Sequence, residues 1–345
     1  MSKQYRAVPV SVGMKVASRL VTNEDLTKIV NTTDEWIQTR SGIKQRYHVA
    51  EGESTSSLAI GACEEAIKKA GLEAKDIDLV LAATLSPDYY FPGIGVIIQN
   101  KMGMRNIPAI DLRGQCAGFA WAISTADAYS KLGIYKNILV VGAESHSPAI
   151  DYSDNGRHIA VLFGDGAGAV LFRSEVCNDN ERPTATNSIS GIIDHELGSD
   201  GSGAESLAIY KPGMGGNLRY VSKEDVEKGS IFPVMDGKLV FKNAVMRMMN
   251  AVNTILERNG LTIDDIDLLV PHQANARINE MLRAKLNLPE EKVVNIIADY
   301  GNTTAATLPL CMYEAEKDGR LKKGKLVVTV AFGAGFAWGA NLIRW

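Results

Sequence analysis

The sequence lacks the features that define several large protein classes. Its four cysteines lie far apart, form no C-x-x-C pair and have no histidine at metal-ligand spacing, which argues against a disulfide framework and against a metal site. No stretch approaches the roughly 20 apolar residues that span a bilayer, and the N-terminal MSKQYRAVPVSVG lacks the apolar core of a signal peptide. We therefore expect a cytoplasmic protein without a membrane-inserted segment.

The net charge of the chain is also small. The 345 residues carry 37 Lys and Arg against 40 Asp and Glu, for a net charge of −3, and 46% of the side chains are hydrophobic. A chain with this balance has no general attraction for nucleic acid or anionic lipid. Its length and composition predict a globular protein with two domain-sized hydrophobic cores.

An internal duplication is the most informative structural pattern. GLEAKDIDLV at 71–80 and GLTIDDIDLL at 260–269 share six residues in register, and each follows an amphipathic segment that predicts a helix. The similarity continues, because Gly133 precedes the apolar run ILVVGA much as Gly319 precedes LVVTVAF. We therefore predict two halves of similar topology.

The predicted halves are residues 1–177 and residues 178–345. Each alternates short β-rich runs with helical patterns, which predicts the α/β class, with mostly buried strands flanked by helices. Residues 178–237 are rich in Gly, Ser, Asn and Asp, and we interpret them as turns and an irregular excursion, with an insertion at about 199–234. Predicted strands cover 79–84, 108–112, 137–142, 166–172, 266–270, 293–297, 326–332 and 337–343.

Cys116 is the first candidate for a catalytic residue. It follows a short β-like run and begins an apolar helix of about four turns, in IDLRGQCAGFAWAISTADAYSKLG. The unpaired N–H groups and the macrodipole of a helix N-terminus favour a thiolate, so Cys116 could be a nucleophile. The alternative is that it is a small hydrophobic residue of the core. Cys63 and Cys311 fit that alternative, because each lies in an apolar helical pattern.

A histidine and an asparagine are candidates in the second half. His272 ends the run DLLVPH, at the carboxyl end of a predicted strand where ligands of α/β proteins gather, so a functional role is favoured over a structural one. Asn302 precedes a helix in GNTTAAT, where an N-cap beside a turn glycine is an open alternative. Overlaying the two halves places Cys116 opposite residues 302–305, so a site at their junction would draw on both.

Two other motifs carry less weight. The segment GDGAGA at 164–169 fits a loose G-x-G-x-x-A pattern, but VLFR follows it instead of a helix, which argues against dinucleotide binding and favours a tight turn between strands. No G-x-S-x-G occurs, which removes the commonest serine-hydrolase alternative.

Together these motifs give the chain a resemblance to the β-ketoacyl-acyl-carrier-protein synthase III family, the initiating condensing enzymes of type II fatty-acid synthesis. The resemblance runs nearly end to end, through TNEDL, TTDEWIQTRSGI, QCAGF, FGDGAGA, PHQANARI, GNTTAAT and AFGAGFAWG. It implies the five-layered αβαβα thiolase fold, a homodimer, and decarboxylative condensation of an acyl-coenzyme A with malonyl-acyl-carrier protein. It implies no cofactor, since coenzyme A enters as part of a substrate.

The resemblance also implies roles for individual residues. Cys116 would be the nucleophile, and His272 and Asn302 would assist decarboxylation. The backbone N–H groups of Cys116 and Ala334 would form an oxyanion site. The remaining residues would be Trp36, Arg40, Arg157, Asn275 and Lys238 for coenzyme A and its pantetheine arm, Arg277 and Lys242 on the carrier-protein face, and Phe91, which would reach across the dimer into the acyl pocket of the partner.

The chain departs from the family pattern at Gln115, Lys238 and Ala334, and residues 199–234 are longer than in compact relatives. These differences leave the acyl chain and its carrier open. One alternative is a condensing enzyme or acyltransferase of secondary metabolism that uses a longer or unusual acyl chain. Another is a non-catalytic protein that binds acyl-carrier protein, and the intact catalytic residues argue against it.

Overall fold

A computed structural model describes residues 3–214 and 220–345, and strands alternate with helices along most of that length. The strands are β1 (Gln4–Val16), β2 (Arg19–Thr22), β3 (Gln45–His48), β4 (Leu79–Ala83), β5 (Ala109–Leu112), β6 (Asn137–Glu144), β7 (Gly166–Cys177), β8 (Gly191–Ser199), β9 (Leu207–Ala208), β10 (Val234–Met235), β11 (Leu268–Pro271), β12 (Leu326–Gly333) and β13 (Ala337–Arg344). The α-helices are α1 (Asn23–Thr27), α2 (Asp34–Ser41), α3 (Thr55–Lys69), α4 (Ile94–Lys101), α5 (Gly118–Lys131), α6 (Arg157–Ala160), α7 (Lys223–Glu227), α8 (Gly237–Arg258), α9 (Ala276–Lys285), α10 (Ile297–Tyr300) and α11 (Thr307–Lys317). None of these helices, in the part of the chain that is described, is long and apolar enough to cross a membrane.

Two sheets carry the fold. The first has the strand order β1-β7-β6-β4-β5, with β4 parallel to β5 and β6, and with β7 antiparallel to β1 and β6. The second has the order β11-β12-β13-β8, with β11 parallel to β12 and the other pairs antiparallel. Two small sheets, β2 with β3 and β9 with β10, lie outside them.

Five layers follow from the contacts between helices and sheets. Helices α5 and α11 each contact both large sheets, so they form the central layer. Helices α3 and α4 cover the outer face of the first sheet, while α8, packed against α9, covers the outer face of the second. The central position explains the sequence of α5, where Phe119, Ala122 and Ile123 are all fully buried. The predicted αβαβα class is confirmed.

The internal duplication is visible element by element. Helices α3 and α8 are each followed by a glycine in the left-handed conformation, Gly71 with φ 68° and Gly260 with φ 65°, which a residue with a Cβ adopts less readily. A short 3-10 turn and a strand then follow in each half, β4 in the first and β11 in the second. The match extends to the 3-10 turns before α5 and α11, where Gln115 (φ 47°) and Thr304 (φ 42°) both have positive φ. The sequence repeat is therefore a structural repeat.

The predicted strands form, with one exception. No strand forms at 293–297: Val293 makes an isolated bridge to Leu269, and α10 begins at Ile297. Strand β1 was not predicted, because Pro9 interrupts its pattern at a bulge. Proline is tolerated there because β1 lies at the edge of the first sheet.

Part of the segment interpreted as an irregular excursion, residues 178–237, is regular. Strand β8 adds an edge to the second sheet, and its Asp194 and Glu196 both pair with Arg258. Because these side chains are polar, the strand has no apolar run from which it could be predicted. In GDGAGA, Gly164 and Asp165 lie outside any strand, and β7 begins at Gly166, where the predicted strand begins.

The insertion predicted at about 199–234 contains short elements. Strands β9 and β10 pair at its two ends, and α7 lies between them with Ser222 as its N-cap. Residues 215–219 of this segment lie outside the described residues. The division of the chain at residue 177 stays a prediction.

Gly142 on β6 allows the turn before α11 to lie directly on the first sheet. A Cβ at this position would lie 2.4 Å from the carbonyl oxygen of Ala305 and 3.1 Å from the ring of Phe119. Because the nearest atom belongs to the backbone, no side-chain rotation can relieve that clash. The packing of the second half on the first sheet therefore requires a residue without a side chain here.

We expect Gly142→Ala to lower the free energy of unfolding by about 1–3 kcal/mol, because the added methyl group must push the Ala305 turn away from the sheet. Urea-induced unfolding followed by circular dichroism measures the change. Gly201→Ala is the control, since a Cβ there meets nothing within 4 Å, and it should change the stability by less than about 0.5 kcal/mol. Equal stability of Gly142→Ala and the parent chain would contradict this description of the packing.

Candidate active site

Cys116 lies where the first sheet meets the central layer. It occupies the 3-10 turn Gln115–Ala117, between the end of β5 and the start of α5, and is 8% exposed. Gly333, at the end of β12, approaches so closely that a Cβ on it would lie 2.9 Å from the backbone nitrogen of Cys116 and 2.9 Å from its Cβ. Ala334 follows, so the backbone of the second half frames the thiol.

Burial decides the protonation state of this thiol. It raises the pKa of Cys116 to about 12, and the charge of Glu144 also raises that pKa, while the backbone N–H groups of Cys116 and Ala334 lower it. The N–H donors favour the thiolate, as expected, but desolvation outweighs them and the thiol stays protonated in the resting site. The donors still distinguish Cys116 from Cys63 and Cys311, whose pKa values burial raises further.

His272 follows β11 directly, and its backbone N–H donates to the carbonyl of Val330 on β12 (2.8 Å). The side chain is buried, and neither ring nitrogen has a hydrogen-bond partner among the described residues. Burial lowers the pKa of His272 to about 3, so the imidazole is neutral, with one donor nitrogen and one acceptor nitrogen. Two unpaired, buried nitrogens carry a desolvation cost that a bound ligand would remove.

Gln273 fixes the segment that carries His272. Its Nε2 group donates to the carbonyl of Val294 at 3.0 Å, and its Oε1 accepts from the backbone N–H of Ile296 at 3.1 Å. The side chain of Asn279 donates to the same oxygen at 3.0 Å. Nothing in the sequence marks this positioning residue, apart from its place beside the histidine.

Asn302 is held by backbone hydrogen bonds on both sides. Its N–H donates to the carbonyl of Leu162 (2.8 Å), and its carbonyl accepts from the N–H of Gly164 (3.1 Å). The side-chain oxygen accepts from the N–H of Thr304 at 2.9 Å, so the amide nitrogen is the group left to donate. Asn302 is not the N-cap that the sequence suggested as an alternative, since Thr303 and Ala306 occupy the N-cap positions of the next turn and of α11. The bond from Thr304 instead orients the amide.

The structure brings these three segments together. The turn Gln115–Ala117 contacts the turn Thr304–Ala306 and strand β12, and β11 is paired with β12. The carboxyl ends of β5, β11 and β12 thus meet the starts of α5 and α11, which is where α/β proteins bind their ligands. The site draws on both halves of the chain.

A second cluster surrounds Trp36 on α2. The guanidinium of Arg157 lies 5.0 Å from the centroid of the indole and that of Arg40 lies 5.7 Å from it, both within cation–π range. Arg157 also donates to the carbonyl of Asn31 (2.9 Å), and the side chain of Asn275 donates to the carbonyl of Arg40 (2.9 Å). Four residues predicted for coenzyme A therefore lie together.

Three further basic residues from the sequence prediction lie on outer helices. Lys238 and Lys242 are one turn apart near the start of α8, and Arg277 is in the first turn of α9. All three are exposed. Because α8 and α9 pack against each other, these cations stand on neighbouring helices.

The segment between β4 and α4 carries a strongly exposed aromatic tip. Phe91 is 80% exposed, and Tyr89 and Tyr90 beside it are exposed as well. The ring of Tyr90 contacts Phe91 (6.2 Å between centroids) and Tyr220 of the insertion (5.5 Å). Ile94, the first residue of α4, is fully buried, so the exposed patch ends before the helix.

Two buried polar residues near the site were not predicted. Glu144 ends β6 with no exposed surface, and His146 follows it, with Nε2 2.9 Å from the hydroxyl of Thr304. The available signal for Glu144 was a charged residue at the end of the apolar run NILVVGAE. Among the described residues, no group of three or more His, Cys, Asp or Glu side chains could hold a metal ion.

Comparisons with known proteins agree with one another. Residues 110–201 match the family model of 3-oxoacyl-(acyl-carrier-protein) synthase III, and residues 256–345 match the model of its C-terminal part. The chain is 41% identical over 344 residues to the β-ketoacyl-(acyl-carrier-protein) synthase III of Rhizobium meliloti (strain 1021), with 99% of each chain covered. The crystal structure of 3-oxoacyl-(acyl-carrier-protein) synthase III from Aquifex aeolicus VF5 matches with a TM-score of 0.86 at 36% identity, covering 98% of this chain and 100% of that one. The priming β-ketosynthase from the R1128 polyketide biosynthetic pathway matches with a TM-score of 0.87 at 31% identity, covering 99% of this chain and 97% of that one.

The raised pKa of Cys116 determines how its alkylation should depend on pH. Only the thiolate reacts with iodoacetamide, and a pKa of about 12 keeps the thiolate fraction rising with pH throughout the usable range. We expect the rate to climb from about pH 7 to about pH 10, without the levelling that an ordinary thiol shows near its pKa of about 8.5. Mass spectrometry at short reaction times measures this rate, with Cys116→Ala as the blank. A plateau near neutral pH would show that the resting residue is already a thiolate.

Proposed function

The chain belongs to the 3-oxoacyl-(acyl-carrier-protein) synthase III family, and on this basis we propose that it joins an acyl group on Cys116 to malonyl-acyl-carrier protein, which initiates fatty-acid synthesis. It is an acyltransferase of the thiolase fold that performs a decarboxylative condensation, and the proposed acyl donor is acyl-coenzyme A. One observation carries the assignment: a cysteine with two backbone donors stands at the same sheet edge as a neutral, unpaired histidine.

In the first half-reaction, the sulfur of Cys116 attacks the thioester carbonyl of the donor. A thioester to Cys116 forms, the bond to the sulfur of coenzyme A breaks, and the thiol proton ends on that leaving sulfur. The N–H groups of Cys116 and Ala334 would stabilise the tetrahedral oxyanion, each by roughly 3 kcal/mol.

In the second half-reaction, the malonyl group loses carbon dioxide, and negative charge develops on its thioester oxygen. The donor nitrogen of His272 and the amide nitrogen of Asn302 would hydrogen-bond that oxygen. The bond from Thr304 supports this role, because it occupies the amide oxygen of Asn302 and leaves the nitrogen to donate. The carbanion then attacks the acyl thioester, and the sulfur of Cys116 leaves and takes up one proton.

The cluster around Trp36 is proposed to hold the nucleotide end of coenzyme A. The indole offers a surface for stacking, and the guanidinium groups of Arg40 and Arg157 offer paired donors to phosphate oxygens. The remaining assignments are Asn275 and Lys238 for the pantetheine arm, and Arg277 and Lys242 for the surface that meets the carrier protein.

The proposal includes a homodimer in the cytoplasm. Strand β5 lies at the edge of the first sheet, where its outer backbone groups are open to pairing. Beside it is an apolar cavity of about 420 Å³, to which Leu112, Trp121 and Leu132 contribute, and Leu132 is 68% exposed. A second copy related by a two-fold axis could pair its β5 with this one and cover the cavity. Phe91 would then be available to the acyl pocket of the partner.

A priming condensation in secondary metabolism is the second candidate function. The structural match to the priming β-ketosynthase of a polyketide pathway, at 31% identity, favours it. Intact-mass measurement after incubation with a panel of acyl-coenzyme A and acyl-carrier thioesters separates the two. Short acyl-coenzyme A donors that load Cys116 support initiation of fatty-acid synthesis, and a preference for longer or unusual chains supports the second function. No adduct with any donor would remove the covalent mechanism.

The two half-reactions should separate by mutation, because Cys116 serves both whereas His272 and Asn302 serve mainly decarboxylation. We expect His272→Ala and Asn302→Ala to acquire an acyl group but to condense it about 10²- to 10³-fold more slowly than the parent chain. Intact mass follows acylation, and release of carbon dioxide from malonyl thioester follows condensation. Asn250→Ala, which alters an exposed asparagine on α8, should change neither rate. Loss of acylation in either variant as complete as in Cys116→Ala would contradict these roles.

The proposed homodimer can be tested separately from the catalytic roles. Sedimentation velocity should give a dimer at assay concentration, and Leu132→Glu should shift it towards monomer, because the new charge would be buried in the interface. Leu20→Glu alters a similarly exposed leucine, at 47%, on β2 and should leave the dimer intact. A stable and fully active monomer of the parent chain would refute both the dimer and the shared role of Phe91.

A further inference from the structure

Glu144 is a buried carboxylate that the proposed reaction does not use. It is the last residue of β6, and its side chain has no exposed surface. An isolated carboxylate at such a position would be costly, so its partners must compensate for the lost hydration. Its hydrogen-bond donors lie in two separate segments of the chain, and His146 lies with Nε2 3.8 Å from its Oε2.

The first segment is residues 84–86, at the end of β4. The hydroxyl of Ser86 donates to Oε2 of Glu144 at 2.5 Å, and the backbone N–H of Ser86 donates to the same oxygen at 3.1 Å. The N–H of Leu85 and the hydroxyl of Thr84 also donate to Glu144, each at 3.2 Å. This segment leads directly into the loop that presents Phe91.

The second segment is the turn that follows Asn302. The N–H of Ala305 donates to Oε1 of Glu144 at 3.3 Å, and His146 lies with Nε2 2.9 Å from the hydroxyl of Thr304. Thr304 in turn donates its N–H to the side-chain oxygen of Asn302. Glu144 therefore binds the same turn that orients the amide of Asn302, the group proposed to stabilise the enolate.

We propose that Glu144 is a positioning residue that holds the loop leading to Phe91 and the turn carrying Asn302 in register with each other. The inference rests on the proposed function, since it assigns these two segments to acyl binding and to decarboxylation. A single carboxylate that accepts from both segments links them directly to each other, because charge-assisted hydrogen bonds are directional. Glu144 acts through these neighbours and contacts no reacting atom in the proposal.

The same charge has a second effect, on the nucleophile. Burial raises the pKa of the Cys116 thiol, and the negative charge of Glu144 is the next cause of that rise. Replacing the carboxylate with a neutral group should therefore ease ionisation of the thiol. At the same time, the replacement should disturb the turn that carries Asn302. Alkylation of the thiol and condensation with malonyl-acyl-carrier protein should therefore change in opposite directions, which a general loss of folding does not produce.

Glu144→Gln, which keeps the size of the side chain and removes its charge, tests this inference. Alkylation of Cys116 by iodoacetamide at neutral pH should be at least about threefold faster than in the parent chain. Acylation of Cys116 should persist, while kcat for condensation with malonyl-acyl-carrier protein should fall about tenfold to a hundredfold, because a misplaced amide stabilises the enolate poorly. Glu144→Asp, which retains the charge, should restore slow alkylation and recover part of kcat.

Asp127→Asn is the matched control. Asp127 is also buried, at 2% exposure, but it lies on α5 and pairs with Lys131 and His195. This variant should unfold at a lower denaturant concentration, yet it should keep the parent rates of alkylation and condensation. If Glu144→Gln does not fold, Ser86→Ala removes one donor to the same carboxylate and should still lower kcat for condensation.

Unchanged condensation in Glu144→Gln would overturn the inference, and so would a parallel fall of alkylation and condensation. Failure of the proposed function is distinguishable, because the parent chain itself would then not condense any acyl donor with malonyl-acyl-carrier protein.

Discussion

Helices α5 and α11 are packed on both sides by sheets, and the candidate catalytic residues stand around their N-terminal ends. The first turns of both helices are enclosed between the sheets, as the full burial of Phe119, Leu308 and Leu310 shows. Backbone segments approach so closely that Gly142 and Gly333 have no room for a Cβ. Polar chemistry is possible only where the helices begin and the strands end, and this fixes the place of the site.

The same burial sets the charge of the reactive groups. It keeps Cys116 a thiol and His272 a neutral imidazole, so both groups are uncharged in the resting site. In bulk water, both side chains would ionise more readily. In such a medium, each hydrogen bond to a developing oxyanion is stronger than in water. The exception is Glu144, whose charge is tolerated because donors from two segments surround it. Exclusion of water therefore both suppresses resting reactivity and strengthens stabilisation of the transition state.

The sequence was sufficient for the regular, buried parts of this architecture. Strands such as β4, β6 and β12 are apolar on both faces, and the repeated glycines after α3 and α8 marked the two halves. Apolarity does not report pairing, however, so the polar edge strand β8 was missed, and residues 293–297 were taken for a strand although only Val293 is bridged. The position of Cys116 could be read locally. Its protonation state and its relation to Glu144 could not, because they depend on residues far away in the chain.

The paired turns before α5 and α11 share a backbone geometry but carry different side chains. Gln115 and Thr304 both hold a positive φ that non-glycine residues avoid at a cost on the order of 1–3 kcal/mol. In one turn the next residue is Cys116, whereas in the other it is Ala305, which has no reactive group. The same strained backbone geometry is therefore present in both halves, although only one of them carries a reactive side chain. A positive φ at this turn thus positions a nucleophile in the first half and, in the second, orients the amide of Asn302 through Thr304.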